Sequence, residues 1–249
     1  MSENVGPRAL VTGGGRRIGA AIVRRLAENG FAVWIHVRRS RREAEALRES
    51  LPSPGRHIVS VCDLSDPAAR GAWLETLPGF DLVVNNASCY RLTPPGETES
   101  AADRERYREV NLEAPLAVIR HQFDHLAGEG LAVNLLDADI LDEAGGVEAP
   151  RRVPAGEDSY LATRKALGMA TRMLARELAP RLRVNGIAPG PVLPPAGIAG
   201  AGMTRILDRV PLRRPVAVEA VVNTVEFLWR NRDLTGAVIP VDGGMSTPR

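Results

Sequence analysis

The sequence has very little lysine. Lys165 is the only lysine among 32 basic residues, so arginine supplies almost all of the positive charge. The formal net charge is only +2, and we therefore expect neither a nucleic-acid-binding nor a membrane-binding protein. The two cysteines, Cys62 and Cys89, lack the spacing of a metal-ligand or redox motif. We expect free thiols in a reducing compartment and no metal site.

Long apolar runs are also absent. No segment approaches the roughly 20 residues that are needed to cross a bilayer. The polar start before "RALVTG" is too short for a signal peptide, so we expect a cytoplasmic protein. The apolar fraction of 44% and the charged fraction of 25% are those of an ordinary globular domain.

Short apolar segments alternate with amphipathic segments along the whole chain. The predicted strands are "RALVTG", "FAVWIHV", "HIVSVCD", "FDLVVNN", "LAVNLLD", "LRVNGIAPG" and "AVIPVDGG". Between them we expect helices, including one continuous helix over "ADRERYREVNLEAPLAVIRHQFDHLA" and another over "DSYLATRKALGMATRMLARELAP". This alternation predicts the α/β class: a single doubly wound Rossmann-type domain over residues 1–249, with a parallel sheet flanked by helices on both faces.

A glycine-rich turn, "VTGGGRRIG", connects the first strand to the first helix. Backbone amides and the positive end of a helix face such a turn, which suits it to binding pyrophosphate. Its spacing differs from G-x-G-x-x-G, because Arg17 holds a place between Gly13 and Gly19 where a glycine is usual.

The second strand indicates which nucleotide binds. An acidic residue at its end would bind a ribose 2′-hydroxyl, whereas arginine accepts a 2′-phosphate. The segment "HVRRS", from His36 to Ser40, has no acid and offers Arg38 and Arg39. We therefore expect NADPH rather than NADH.

The motifs "TGGGRRIG", "CDLS", "VVNNAS", "VNLEAP", "NLLDA", "SYLATRKAL", "RVNGIAPG" and "VDGG" follow one another in this order. Together they resemble the short-chain dehydrogenase/reductase family, and most closely its pteridine and dihydromonapterin reductases. Arg17, the segment "HVRRSRREAEAL" and Tyr90 in "NNASCY" point to that subgroup. So does Asp137, which stands where the wider family has a serine that bonds the substrate carbonyl.

The resemblance implies a set of cofactor-binding residues in these motifs. They are Gly13, Arg16, Arg17, Ile18, Gly19, His36, Arg38, Arg39, Ser40, Asp63, Leu64, Asn86, Ala87, Ser88, Pro189 and Gly190. It further implies that Tyr90, Ser88 and Arg17 contact the substrate, with Tyr90 stacking on a flat heterocycle.

The resemblance also implies the catalytic residues Tyr160, Arg164, Asp137 and Asn111. Tyr160 is expected to donate a proton while hydride adds to a C=N or C=O carbon. Arg164 stands in the family's lysine position, where it keeps the positive charge but holds its proton too tightly to relay it. The alternative, that Lys165 takes this position, requires a local bulge in the helix.

Two of these residues have other interpretations. Asp137 suits an aminopterin edge, but it could instead cap the turn that follows its strand. Asn111 matches the asparagine that holds a water chain in the family, but it could instead be a helix asparagine bonded to backbone.

The polar segment at about 139–157 is some ten residues longer than the family pattern needs, and we expect an inserted loop there. It could be a substrate lid, a partner-binding element or a surface excursion. The leading functional prediction is NADPH-dependent reduction of a pterin-like heterocycle by a homotetramer. The alternatives are a carbonyl or cyclic imine reductase of a biosynthetic pathway and a non-catalytic NADP-binding protein.

Overall fold

A computed structural model describes residues 6–91, 98–141, 158–192, 204 and 206–247 of the chain. Seven strands form one parallel sheet in the order β3-β2-β1-β4-β5-β6-β7. Their bounds are β1 Arg8–Val11, β2 Ala32–Val37, β3 Ile58–Val61, β4 Leu82–Asn85, β5 Gly130–Leu135, β6 Leu182–Pro189 and β7 Val238–Val241. All seven predicted strands are therefore present, in a doubly wound order.

Helices cover both faces of the sheet. Their bounds are α1 Arg17–Glu28, α2 Arg41–Glu49, α3 Pro67–Leu74, α4 Ala101–Arg108, α5 Ala114–His125, α6 Asp158–Glu177 and α7 Val218–Arg230. On β1, Ala9 and Val11 pack into the cluster that includes buried residues of α1, α2 and α7, while Leu10 packs into the cluster with α3 and α5. The predicted fold class is confirmed.

The edge strand β3 differs from the prediction that the strands are buried on both faces. Ile58 is 45% exposed and Val61 is 47% exposed, because β3 has a neighbour, β2, on one side only.

The segment predicted as one continuous helix is interrupted. A π-helical turn, Glu109–Glu113, separates α4 from α5 and contains the fully buried Asn111. Such turns are rare and often lie at functional sites. By contrast α6 runs as a regular α-helix through Arg164 and Lys165, so the local bulge that would bring in Lys165 is not present.

The predicted inserted loop begins with structure of its own. Ala138–Ile140 form a 3-10 helix, while residues 142–157 lie outside the described residues, as do residues 193–203. Within the described part of the chain, no helix is both long and apolar enough to cross a membrane.

Candidate functional site

The glycine-rich turn between β1 and α1 makes the close backbone approach that its glycines predict. Gly13 has φ +65°, and a Cβ atom on Gly19 would lie 2.2 Å from the carbonyl oxygen of Gly13. Neither position accepts a side chain without distortion. Arg17 also has a positive φ, +54°, at the position where the resemblance implies glycine. A left-handed conformation costs an ordinary residue about 1–2 kcal/mol, so the turn holds an arginine at some backbone cost.

A cavity of about 750 Å³ opens at this turn, at the carboxyl ends of the strands. Its lining includes every predicted cofactor and substrate residue except Pro189 and Gly190. The lining residues are Gly13, Arg16, Arg17, Ile18, Gly19, His36, Arg38, Arg39, Ser40, Asp63, Leu64, Asn86, Ala87, Ser88, Cys89, Tyr90, Arg91, Asp103, Arg106, Tyr107 and Val110. The four predicted catalytic residues are not part of this lining, although Asn111 and Tyr160 contact residues that are.

Several lining residues were missed in the sequence. Asp103, Arg106, Tyr107 and Val110 all lie on α4 or at the start of the π-helical turn. Their spacing of three, four and seven residues places them on one face of a helix. That face could have been identified from the sequence, but charged residues at such spacing usually indicate a solvated surface.

His36, on β2, forms a hydrogen bond to the glycine turn. Its Nδ1 accepts from the Gly13 N–H over 3.3 Å, and its Nε2 lies 3.1 Å from the Cys62 carbonyl oxygen, which requires a proton on Nε2. Burial lowers the pKa of His36 to about 4, so the ring is neutral at physiological pH. The positive charge at this end of the cavity therefore comes from arginine.

Arg38 and Arg39 are both exposed, directly after β2, and line the cavity opposite Asp63. Burial acts to raise the pKa of Asp63. Hydrogen bonds from Ser65 and the charges of Arg38 and Arg39 outweigh it and hold that pKa below its usual value. Two guanidinium groups beside a glycine turn fit a dinucleotide that carries a 2′-phosphate.

Asn111 joins the π-helical turn to the loop after β4. Its side-chain oxygen accepts from the Cys89 N–H over 3.0 Å and from the Ser88 hydroxyl over 3.3 Å. Its amide nitrogen donates to the Cys89 carbonyl over 3.1 Å and lies 3.5 Å from the Thr163 hydroxyl on α6. The interpretation as an asparagine bonded to backbone is confirmed, and the backbone belongs to the cavity wall.

Tyr160 and Asp137 form a hydrogen-bonded pair. The Tyr160 hydroxyl donates to Oδ2 of Asp137 over 3.1 Å, and the other oxygen, Oδ1, accepts from the Asp139 N–H over 2.9 Å. The turn-capping role considered for Asp137 is therefore present together with the contact to Tyr160. One carboxylate connects the end of β5 to α6.

The pKa of Tyr160 is raised well above its ordinary range. Burial is the largest cause and the charge of Asp137 the next, while the charge and hydrogen bond of Arg164 act in the opposite direction. The expectation that Arg164 depresses this pKa is correct for its own effect and wrong for the sum. In the absence of a ligand, the tyrosine is a protonated donor.

Arg164 occupies the position predicted for it. It is only 3% exposed, its Nη1 donates to the Leu135 carbonyl over 3.1 Å, and its guanidinium carbon lies 5.5 Å from the centre of the Tyr160 ring. Its Nε is buried and has no acceptor among the described residues. This N–H fits a ribose hydroxyl of a bound dinucleotide, since a buried donor is costly when it is left unpaired.

Tyr90 closes the site beside Tyr160. The two ring centres are 5.0 Å apart at an interplanar angle of 64°, and Tyr90 is 37% exposed. A half-exposed aromatic ring at the cavity wall can stack on a flat ligand. Ser88 and Arg17, the other predicted substrate residues, line the same cavity.

Comparisons with known proteins agree with this geometry. The model of the enoyl-(acyl carrier protein) reductase family matches residues 14–246. L-xylulose reductase from Mus musculus is 35% identical over 96% of each chain, and the protein of that name from Homo sapiens is 34% identical over the same shares. These relatives cover the whole of the fold described above.

Solved structures extend the comparison. FolM alternative dihydrofolate reductase 1 from Brucella canis, complexed with NADP, is 35% identical with a TM-score of 0.81, covering 97% of this chain and 95% of that one. A blue fluorescent protein from a metagenomic library, in complex with NADPH, is 32% identical with a TM-score of 0.85, covering 98% and 100%. With these relatives, the glycine turn and the pairing of Tyr160 with Asp137, the chain belongs to the short-chain dehydrogenase/reductase family.

Proposed function

We propose that this protein reduces a pterin-like heterocycle, converting a dihydropterin to a tetrahydropterin, with Tyr160 as the proton donor. The protein is an NADP(H)-dependent reductase, and NADPH is its cofactor. The observation that carries the substrate class is the 3.1 Å hydrogen bond from Tyr160 to Asp137. A carboxylate in this position can accept hydrogen bonds from an amino-substituted ring, whereas a simple ketone offers it nothing to accept.

The other site residues are proposed to bind the cofactor, donate the proton and position the substrate. When bound, NADPH supplies a hydride to a carbon of the substrate. The glycine turn and Arg39 would hold its phosphates, and Nε of Arg164 would bond a ribose hydroxyl. Tyr160 would give its proton to the ring nitrogen next to that carbon, and Tyr90 would keep the ring flat against the site.

The raised pKa of Tyr160 suits donation to a basic nitrogen. Burial and Asp137 keep the phenol protonated at neutral pH. As the substrate nitrogen gains negative charge, the buried positive charge of Arg164 stabilises the tyrosinate that is left behind. Asp137 opposes this stabilisation while it is charged, so its own proton affinity affects the rate.

A second candidate is reduction of a sugar or another small carbonyl compound. The relatives named L-xylulose reductase, 35% identical over 96% of each chain, favour it. Against it stands Asp137 in the position of the family's serine. The two candidates make opposite predictions for the replacement of this one residue.

We therefore suggest following NADPH oxidation with 7,8-dihydropterins, cyclic imines and L-xylulose, in the wild-type protein and in Asp137→Ser. The wild type should reduce the dihydropterins, and Asp137→Ser should lose that activity by at least tenfold while carbonyl reduction is kept or gained. Asp208→Asn, which alters a surface acid paired with Arg213, is the matched control. Efficient reduction of L-xylulose alone by the wild type would favour the second candidate.

We also propose that the protein is a homotetramer, as the resemblance implies. Met169 is 51% exposed and Met173 is 67% exposed on α6, which leaves an apolar stripe on this helix. Leu116 of α5 packs half-buried against the protein's own core and is not available to this surface. The proposal therefore depends on the two methionines.

A further inference from the structure

Each catalytic cycle leaves Tyr160 one proton short, and a proton must return from solvent. A lysine beside the tyrosine could pass one along, but Arg164 cannot, because a guanidinium does not release its proton at any ordinary pH. Arg164 is also almost fully buried and donates to the Leu135 carbonyl. Because arginine stands where the family has lysine, a proton cannot return to Tyr160 through this residue.

The amide of Asn111 offers no obvious second path. Its oxygen accepts from Ser88 and Cys89, and its nitrogen donates to the Cys89 carbonyl and lies 3.5 Å from the Thr163 hydroxyl, so its hydrogen bonds are made with the cavity wall and α6. An amide also changes protonation state too reluctantly to carry a proton itself. The hydrogen bond that remains to Tyr160 leads to Asp137.

Asp137 leads on to a second carboxyl group, Asp139. Asp137 caps the start of the 3-10 helix that contains Asp139, and its Oδ1 accepts from the Asp139 N–H over 2.9 Å. The Asp139 side chain is 24% exposed, and it forms an ion pair with Arg209, a residue 70 positions later in the chain. Asp139 therefore touches both solvent and the neighbourhood of Asp137.

The charges around Asp139 favour its taking up a proton. Burial and the negative charge of Asp137 raise its pKa, and Arg209 acts against them without cancelling them. Among the described residues, Asp137 on its own turn and Arg209 from the other segment are the charged groups that face it, with Tyr160 and Arg164 of α6 beyond Asp137. An acid whose pKa is shifted toward neutrality exchanges protons well at physiological pH.

We infer that Asp139 is the entry point through which solvent protons reach the pair of Asp137 and Tyr160, in place of the relay that Arg164 cannot perform. The inference rests on the proposed role of Tyr160 as donor. After Tyr160 gives its proton to the substrate, protonated Asp139 passes its proton to the Asp137 carboxylate by way of water, and Asp137 passes a proton on to the tyrosinate. Asp139 then takes a proton from solvent. One proton enters for each proton that leaves.

The test compares Asp139→Asn and Asp139→Glu with the wild type, using whichever compound of the panel the wild type reduces. Asp139→Asn keeps the shape and the backbone hydrogen bond but carries no proton, so kcat should fall by roughly tenfold or more, within the range for acid–base groups. The solvent deuterium isotope effect on kcat should rise, and the isotope effect from deuterated NADPH should shrink. Asp139→Glu should restore most of kcat, and imidazole or formate in the buffer should rescue Asp139→Asn.

Arg209→Gln gives an independent readout. The relay acts when Asp139 is protonated, so kcat should fall as pH rises through the pKa of Asp139. Because Arg209 lowers that pKa, Arg209→Gln should move this limb of the pH profile to higher pH. Asp208→Asn should leave the limb in place.

The outcomes separate the two proposals. A merely structural role for Asp139 would lower the melting temperature without rescue by small acids and without a change in isotope effects, and this would overturn the inference alone. If Asp139→Asn had the same kcat and isotope effects as the wild type, the inference alone would also be overturned. A wild type that binds NADPH but reduces nothing in the panel would overturn the proposed function and this inference together.

Discussion

Arg164 places a buried positive charge next to Tyr160. It carries a full charge in a position that is 3% exposed, stacked near Tyr160 and bonded to the end of β5. A buried charge needs polar partners, and for Arg164 these include the Leu135 carbonyl and the face of the Tyr160 ring. In the proposed mechanism the arginine keeps the electrostatic function of the family's lysine and gives up proton transfer.

We predict that Arg164→Lys preserves or raises turnover, while Arg164→Met lowers it by more than tenfold. The methionine removes a charge that lowers the pKa of Tyr160, and each unit of pKa corresponds to about 1.4 kcal/mol. Lys165→Ala should change little, because one residue on a helix turns the side chain by about 100° away. Steady-state kinetics with an accepted substrate measures all three.

One result of these kinetic measurements would contradict the role proposed for Arg164. If Lys165→Ala abolished turnover and Arg164→Met did not, Lys165 would be the functional cation and the position assigned to Arg164 would be wrong. Tyr160→Phe should be the most damaging of the single changes, since it removes the proton donor.

Arg39 carries a prediction about cofactor choice. Arg39→Ala should raise the dissociation constant for NADPH by tenfold or more and leave that for NADH nearly unchanged, because it removes a contact to the 2′-phosphate. Arg42, also exposed but outside the cavity lining, is the matched control. Fluorescence titration of both cofactors measures this, and equal losses for the two would refute the assignment.

The π-helical turn at Glu109–Glu113 has structural consequences at the scale of elements. Arg70 of α3 donates from Nη1 to Oε2 of Glu109 over 2.8 Å and to the Leu64 carbonyl over 2.7 Å. Both side chains of the pair are at least nine-tenths buried. This ion pair therefore joins the loop of Asp63 and Leu64 to the turn that carries Asn111.

Breaking one partner of that pair should be costly. Glu109→Gln leaves the Arg70 guanidinium buried without its counter-charge, and we expect a loss of about 3–5 kcal/mol in the free energy of unfolding. The double variant Arg70→Met/Glu109→Leu should recover most of that loss, because it removes both charges. Urea unfolding of the three variants measures this, and additive losses in the double variant would show that the pair is not coupled.

The order of elements was predictable because each strand and helix has its own apolar pattern. The π-helical turn was not, because the Asn111 it contains accepts hydrogen bonds from Ser88 and Cys89, more than twenty residues earlier in the chain. The placement of Arg164 could be predicted from its neighbours in the motif. The direction of the Tyr160 pKa could not, since it depends on how deeply the folded chain buries the ring.

The cavity residues likewise divide into those that the sequence predicted and those that it did not. Residues in the β1–α1 turn and in "HVRRS" were identified because glycines and arginines there have a clear use in nucleotide binding. Asp103, Arg106 and Tyr107 were missed, because the sequence of their helix is typical of a charged surface, and only the fold shows that the helix packs against α6.

At the scale of the whole molecule, the exposed methionines of α6 carry a prediction about assembly. We expect light scattering to give four times the chain mass of 26.8 kDa, and Met173→Glu to shift the protein to smaller species. Ile58→Glu places the same charge on an exposed apolar residue of the edge strand β3 and should leave the mass unchanged. A wild-type mass of 26.8 kDa at working concentration would refute the tetramer.

The scarcity of lysine has a chemical consequence of its own. Lys165 is the one side-chain amine of the molecule, and it is half-buried on α6 beside Arg164. Acylating reagents and reactive aldehydes attack amines and largely spare guanidinium groups. Among the side chains of this protein, such reagents therefore have a single amine to modify, and its reaction rate reports on the solvent access of α6 at Lys165.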